Sequence, residues 1–238
     1  MSHKHIVRSY EEELQRLGSQ IAEMGRLAAS QLEAALDALE RRDVALADEI
    51  RTRDAEVDAL EREVGEAALK ALALRQPMAV DLREVVSAVK ISSDLERIGD
   101  LAKNTAKRAH VIGDDAEARL MPSIARLGRV VREHLLEAIT AYQERDAARA
   151  VAVWRSDEEV DDRFHDVFRE LLSHMMEDPR RVGAGTHLLF VAKNVERMGD
   201  HTANIAETVH YLVEGESPPE SRPKGEDTAY TVVEPPSR

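Results

Sequence analysis

The chain has no cysteine among its 238 residues, which excludes disulfides, thiolate zinc sites and iron–sulfur clusters. That absence also fits a reducing compartment. Aromatic residues make up only 3% while hydrophobic residues reach 43%, so the apolar content is mainly Ala, Leu, Val and Ile. Such a composition suits helices that pack closely and argues against sheets, which favour aromatic and β-branched side chains. Glycine and proline are scarce and cluster at a few points. Basic runs are missing too. The formal net charge is −13, from 46 acids against 33 bases, which disfavours nucleic acid and favours cations and basic protein surfaces. No stretch approaches the roughly 18–20 apolar residues of a membrane span. Met1 to Arg16 is charged throughout and lacks the apolar core of a signal peptide. The expectation is an all-α, soluble, cytoplasmic protein.

What is present is helical periodicity. Tyr10, Leu14, Leu17, Ile21, Met24 and Ala28 form the seam of a first helix over about 7–41. Asp43 is placed to cap a second helix over about 44–74, with Leu46, Ile50, Val57, Leu60 and Val64 on its buried side. Arg75-Gln76-Pro77 breaks it, and a third helix spans about 78–111, with Leu82, Val85, Val86 and Val89 apolar. Gly113 to Glu117 reads as a connector. The pattern then restarts: a fourth helix from Pro122 to about 144, a fifth capped by Asp146 and running to about 176, and a sixth to about 213. From Gly215 to Arg238 the chain is rich in Pro, Ser, Glu and Gly, and is expected to be a disordered tail.

The restart is a duplication. Glu96-Arg97-Ile98-Gly99-Asp100 recurs as Glu196-Arg197-Met198-Gly199-Asp200, each copy followed by an asparagine (Asn104, Asn204) and a histidine (His110, His210). Arg42-Asp43 matches Arg145-Asp146, and Asp54-x-Glu56-Val57-Asp58 matches Asp157-x-Glu159-Val160-Asp161. Two copies of a three-helix unit follow, each able to form a bundle in its own right, over 1–113 and 114–214, with 215–238 as the tail.

Each half thus carries two acidic pairs spaced four apart, so that both members lie on one helix face roughly 5–6 Å apart. Asp54 interrupts the apolar stripe between Ile50 and Val57, and Glu96 continues the stripe Leu82, Val85, Val89, Ser92 or Ser93, and Gly99. Asp54 and Asp58 lie about as far before the Pro77 break as Glu96 and Asp100 lie after it, so antiparallel neighbours bring the pairs to one height. Asp157 and Asp161 meet Glu196 and Asp200 by the same reasoning. Four converging carboxylates need positive compensation. Oxygen-rich clusters suit Mg²⁺, Mn²⁺, Ca²⁺ or iron, with Asn104 and Asn204 as further oxygen donors. The competing structural account neutralises the acids with Arg53, Arg97 and Arg197, and leaves His110 and His210 near helix ends as dipole partners or exposed groups.

With Tyr10-Glu11-Glu12-Glu13-Leu14 and the Arg75-Gln76-Pro77-Met78-Ala79-Val80-Asp81-Leu82-Arg83 turn, the doubled signature resembles the PhoU family over about residues 5–213. That resemblance implies an all-α fold of two tandem three-helix bundles related by pseudo-twofold symmetry, with metal-binding motifs at Asp54, Asp58, Glu96 and Asp100, and at Asp157, Asp161, Glu196 and Asp200. It implies a homodimer or other oligomer acting as a non-enzymatic negative regulator of the phosphate-starvation response. Its implied partners are a phosphate transporter's ATP-binding subunit and a phosphate-sensing histidine kinase, through which alone it would meet a membrane. Two alternatives stand beside it. A ferritin-like or di-iron carboxylate bundle would use Glu-x-x-His pairs, but only Glu207-x-x-His210 has that form, with Lys107 at the matching first-half position. The other is a purely structural helical scaffold.

Overall fold

Two Arg-Asp dipeptides open the second and fifth helices by the same device. Arg42 and Arg145 take up left-handed backbone (φ 54° and 55°), and the next N–H returns to an earlier carbonyl, Asp43 to Ala38 at 2.8 Å and Asp146 to Ala141 at 3.0 Å. This is the six-to-one closure that ends a helix. The aspartates then cap the following helices, accepting from Leu46 N–H at 3.0 Å and Arg149 N–H at 2.9 Å. One dipeptide both stops a helix and starts the next, which explains why it recurs.

In the computed structural model, which describes residues 2–112, 120–219 and 222, the helices are α1 (Ser2–Arg41), α2 (Val44–Arg75), α3 (Val80–Ala106, extended by a 3₁₀ turn Lys107–His110), α4 (Met121–Glu144), α5 (Ala147–Arg155), α6 (Asp157–Glu177) and α7 (Val182–Glu214, preceded by a 3₁₀ turn Pro179–Arg181). No strand occurs among the described residues, and no helix there is long and apolar enough to cross a membrane. The connector at Gly113–Glu117 and most of the tail lie outside the described residues.

Three departures from the sequence reading have physical causes. The single fifth helix is two, α5 and α6, parted at Ser156, whose Oγ donates to the Val153 carbonyl at 2.7 Å. A serine that bonds its own backbone competes with the helix ladder, and the matching first-half residue, Arg53, cannot do so. The third helix starts at Val80, because Gln76 and Ala79 both sit at φ 49° around the Pro77 turn. Of its expected apolar face only Val85 is buried, while Leu82, Val86 and Val89 are exposed at the α2–α3 corner. The buried stripe runs instead through Val85, Ala88, Ile91, Leu95, Ile98 and Ala102.

Helices α1–α3 form one bundle; α4, the α5–α6 pair and α7 form the other. The bundles join through α3 against α7 and α1 against α4, and a single apolar core runs through both. Across α3 and α7, Asp94 meets His201 at 2.8 Å and Asn194 Nδ2 donates to Thr105 Oγ1 at 3.3 Å, fixing an antiparallel pair. The α1–α4 seam shows the pseudo-twofold directly. A Cβ added at Gly25 would lie 2.4 Å from Ile139 Cγ1, and one at Gly128 would lie 2.1 Å from Leu36 Cδ1. Gly25 matches Gly128, and Leu36 matches Ile139, at the same offset as Arg42 to Arg145. Each helix thus inserts an aliphatic knob where the other lacks a side chain.

Valine at Gly25 or Gly128 should overpack this seam by about 1–3 kcal/mol. Melting followed by circular dichroism should fall by several degrees, at roughly 2–4 °C per kcal/mol for a chain this size. An added Cβ at Gly65 meets nothing within 4 Å, so Gly65→Ala should raise the melting temperature. Unchanged melting of both valine variants would show that the helices do not approach so closely.

Candidate cation-binding carboxylate clusters

Asp54 on α2 is 4% exposed and Asp157, the first residue of α6, is 3% exposed. Carboxylates so buried must find partners. The glycine of each signature explains their depth. A Cβ at Gly99 would lie 3.1 Å from Gln31 Oε1 and 3.4 Å from Asp54 Oδ1, and one at Gly199 would lie 2.8 Å from Val160 Cγ1. Bare backbone on α3 and α7 therefore lets the acid-bearing helix draw close.

In the first half, Lys103 Nζ, on α3, bonds both Asp54 and Asp100, the latter at 2.5 Å. The expected meeting of an α2 acid with an α3 acid takes place, with an ammonium between them. Burial pulls the Lys103 amine down, but bonds to Asp100 and Asp54 outweigh it and leave the amine above the ordinary lysine range. Glu96 is pushed up by burial and by its neighbour Asp100, with Arg97 opposing. Asp58, one turn beyond Asp54, is half-buried. Asn104 is turned to Lys107, accepting at 3.0 Å.

In the second half, Arg222 supplies the charge. Its Nε donates to Asp157 Oδ2 at 2.7 Å, its Nη2 to Asp200 Oδ1 at 2.9 Å and its Nη1 to Asn204 Oδ1 at 3.4 Å. Burial lowers the guanidinium's pKa, but Asp157, Asp200 and Asp161 together hold it above its usual value. Glu196 is 9% exposed; one oxygen accepts from Lys193 Nζ at 2.8 Å, and the other, Oε2, is buried with no hydrogen-bond partner. Burial raises its pKa against the opposing Lys193, with Asp200 and Asp161 adding to the rise. Asp157, Asp161, Glu196 and Asp200 therefore share one electrostatic site.

The structural account of neutralisation holds with other residues than expected. Arg53 pairs with Glu49 at 2.5 Å, Arg97 reaches Glu96 at 3.5 Å and Asp100 at 3.9 Å from an exposed position, and Arg197 is exposed. The histidines also diverge. His110 is exposed, 3.4 Å from Asp48, whereas His210 is buried and its Nδ1 lies 2.9 Å from the Glu216 carbonyl. A further pair escaped the sequence reading. Gln31 on α1 is buried beside Asp54 with Oε1 unpartnered, and the matching His134 on α4 is 3.3 Å from Ser156 Oγ and feels Asp157. Burial depresses the His134 pKa, against the raising influence of Glu159, Glu133 and Asp157. Their equivalence under the duplication was the available signal.

The donor set suits a hard cation. It consists of oxygens, and in the second half one carboxylate oxygen is buried without a partner. With Lys103 and Arg222 in place, no group of three or more His, Asp or Glu among the described residues is arranged around a common metal position.

These features define a class: duplicated three-helix-bundle proteins in which each half buries a carboxylate cluster between its second and third helical segments. The chain belongs to the PhoU family, whose PhoU domain matches residues 21–109 and 124–209. It is 48% identical to the phosphate-specific transport system accessory protein PhoU homolog of Caulobacter vibrioides, over 93% of this chain and 96% of that one. Against the protein of the same name from Rhizobium meliloti it is 44% identical, over 96% and 97%. The crystal structure of PhoU from Pseudomonas aeruginosa superposes with a TM-score of 0.80 at 35% identity, covering 87% of this chain and 100% of that one. The phosphate transport system regulatory protein PhoU from Streptococcus pneumoniae gives 0.78 at 26% identity.

Lys103→Ala removes the cation from a buried carboxylate, which should cost about 3 kcal/mol in chelator-containing buffer. Asp54→Asn in the same background should recover most of it. A Lys103→Ala chain that melts with the parent would contradict the pairing. Glu196 titrates with the opposite sign from a salt-bridged acid. Its folded pKa is raised, so its stabilising neutral form is complete below the ordinary glutamate value and is lost as pH rises through the folded value. Glu196→Gln should therefore melt higher than the parent near neutral pH, with the gain vanishing on acidification below the ordinary glutamate range.

Proposed function

We propose that the chain is a non-enzymatic accessory protein of a phosphate-specific transport system, restraining the phosphate-starvation response when phosphate is plentiful. The observation that carries this reading is its 48% identity, along nearly the whole of both chains, to a protein bearing that name. In this role it would act as a cytoplasmic homodimer between the transporter's ATP-binding subunit and a phosphate-sensing histidine kinase.

The carboxylate clusters would hold a divalent or trivalent cation, of which Mn²⁺, Mg²⁺ and iron are the candidates by ligand hardness. Asp54, Asp58, Glu96 and Asp100 are the ligands in one half, and Asp157, Asp161, Glu196 and Asp200 in the other. A bound cation would add positive charge at a strongly acidic surface and draw adjacent helices together. The chain's own residues then do the presenting: Gly99 and Gly199 bring the acid-bearing helices close, while Gln31 and His134 line the clusters from α1 and α4. Support for the cation comes from the buried, unpartnered Glu196 oxygen.

The ferritin-like alternative is weaker, because His210 turns Nδ1 toward a backbone carbonyl and the first-half counterpart of Glu207 is Lys107.

Deleting the gene should derepress phosphatase expression in high phosphate, and the purified chain should retain the transporter ATPase in a pulldown. Normal repression together with no retained ATPase would refute the adaptor role. Trp154, buried one turn before Asp157, should be quenched by Mn²⁺ in the parent and less so in the Asp157→Ala, Asp161→Ala double variant. Equal quenching in both would count against the second cluster as a metal site.

A further inference from the structure

The two clusters match by duplication but differ in how they are closed. Lys103 stands on the same helix as Asp100, three residues on, and its backbone cannot leave the cluster without unwinding α3. The matching second-half residue is Ala203, which carries no charge. There Lys193 bonds, among the described acids, only Glu196, and the cation joining Asp157 to Asp200 is Arg222, which lies 22 residues beyond Asp200 and past the end of α7 at Glu214. The path back is set where the helix ends. Gly215 takes φ 85°, and His210 holds the next carbonyl, that of Glu216, at 2.9 Å. A Cβ at Gly215 would stand 2.8 Å from Arg83 Nη1, the far end of a side chain that can swing aside, so the left-handed backbone is what calls for glycine at this exit.

Arg222 is placed as a ligand rather than as a chance surface pair. Its planar fork spans two helices, with separate bonds to Asp157 on α6 and to Asp200 and Asn204 on α7. Asp157 is nearly fully buried, so the guanidinium enters the cluster instead of resting on its rim. In the same cluster, the buried Glu196 Oε2 lacks a hydrogen-bond partner. The second cluster therefore has acceptor capacity that Arg222 leaves unused.

We propose that Arg222 is a built-in competitor for the cation at the second cluster, which holds either this guanidinium or a divalent metal, while Lys103 keeps the first cluster closed. The proposal rests on the cation-binding reading above and adds an inequality between the two sites. A metal ion and a guanidinium cannot share Asp157 and Asp200 without strong repulsion between them. A tethered competitor acts at an effective concentration of about millimolar. The metal's apparent affinity is then its intrinsic affinity scaled by the fraction of molecules in which Arg222 is withdrawn. The C-terminal segment would thereby set the metal concentration at which the second cluster fills.

The test is a Mn²⁺ titration of the full chain, R222A and R222K, read by Trp154 fluorescence and by counting bound Mn²⁺ with electron paramagnetic resonance. R222A should bind on the order of tenfold more tightly or better at the second cluster, with R222K between it and the parent. A separate readout uses diamagnetic Mg²⁺. The hydrogen-bonded Arg222 Nε–H should give a ¹⁵N resonance slow to exchange with water, assigned by its loss in R222A, and Mg²⁺ should abolish its protection. Should R222A fail to fold, R222K keeps a charge beside Asp157 and carries the comparison. Equal Mn²⁺ affinity in all the folded chains, with the Arg222 resonance unaffected by Mg²⁺, would overturn the competition and leave the cation site standing. No Mn²⁺ bound by any of them would overturn the cation reading and this inference with it.

Discussion

A carboxylate removed from water between two helices must be met by positive charge, and this requirement organises both halves of the molecule. Asp54 and Asp157 are as buried as many of the leucines around them. An isolated ionised carboxylate at that depth would cost several kcal/mol. Lys103 and Arg222 meet the requirement within the chain, and in doing so clamp the acid-bearing helix to its neighbour. Replacing a buried ion pair with apolar side chains often leaves a fold as stable or more so. Cores of this composition could have closed with leucine. Charge at the helix interface therefore points to a role beyond holding the bundles together.

Duplication supplies the frame in which those charges sit. The same Arg-Asp turn opens α2 and α5, and the same glycine–aliphatic contact is made twice across α1 and α4. Such reciprocity makes the inter-bundle seam self-complementary, as in a twofold dimer fused into one chain. The symmetry then fails at a few residues. Ser156 parts α5 from α6 where Arg53 leaves α2 continuous, and Asp157 becomes the first residue of a new helix. Ala203 replaces Lys103, and Gln31 is replaced by His134. These changes surround the second cluster, so the two clusters are closed by different residues.

Much of this was legible in the sequence because it is periodic or local. Helix caps at Asp43 and Asp146, the burial of Asp54 and the meeting of acids from consecutive helices all follow from spacing within roughly fifty residues. The exposed faces of Leu82, Val86 and Val89 were misread, since an apolar stripe says that a face could be buried but not whether another helix covers it. Gln31 and His134 come from the first helix of each half, whose rotation relative to the clusters is set by packing with the opposite bundle. Arg222 was hidden for a different reason. Its segment has the composition of a tail that cannot build a core, yet one guanidinium needs no core to bind a carboxylate cluster. Composition predicts whether a segment folds by itself, and it does not predict whether one of its residues is a ligand.

The choice of residue at each cluster bears on how the halves behave. A lysine ammonium is compact, and when fixed by a helix between two carboxylates it serves as a permanent counter-ion. An arginine guanidinium is always charged, is more weakly hydrated and has its donors arranged as a preformed fork, so it can bind several acceptors without prior ordering. Delivered from beyond α7 instead of from within it, that fork makes contact at the price of loop closure, a term that grows only slowly with the number of residues closed. Under the competition proposed above, an external divalent cation would work against that modest sum at the second cluster. At the first it would have to displace an ammonium whose backbone is held by packing along α3. Two sites that look alike in sequence would therefore be unequal in exchange, and the inequality would arise from where each positive charge is tethered.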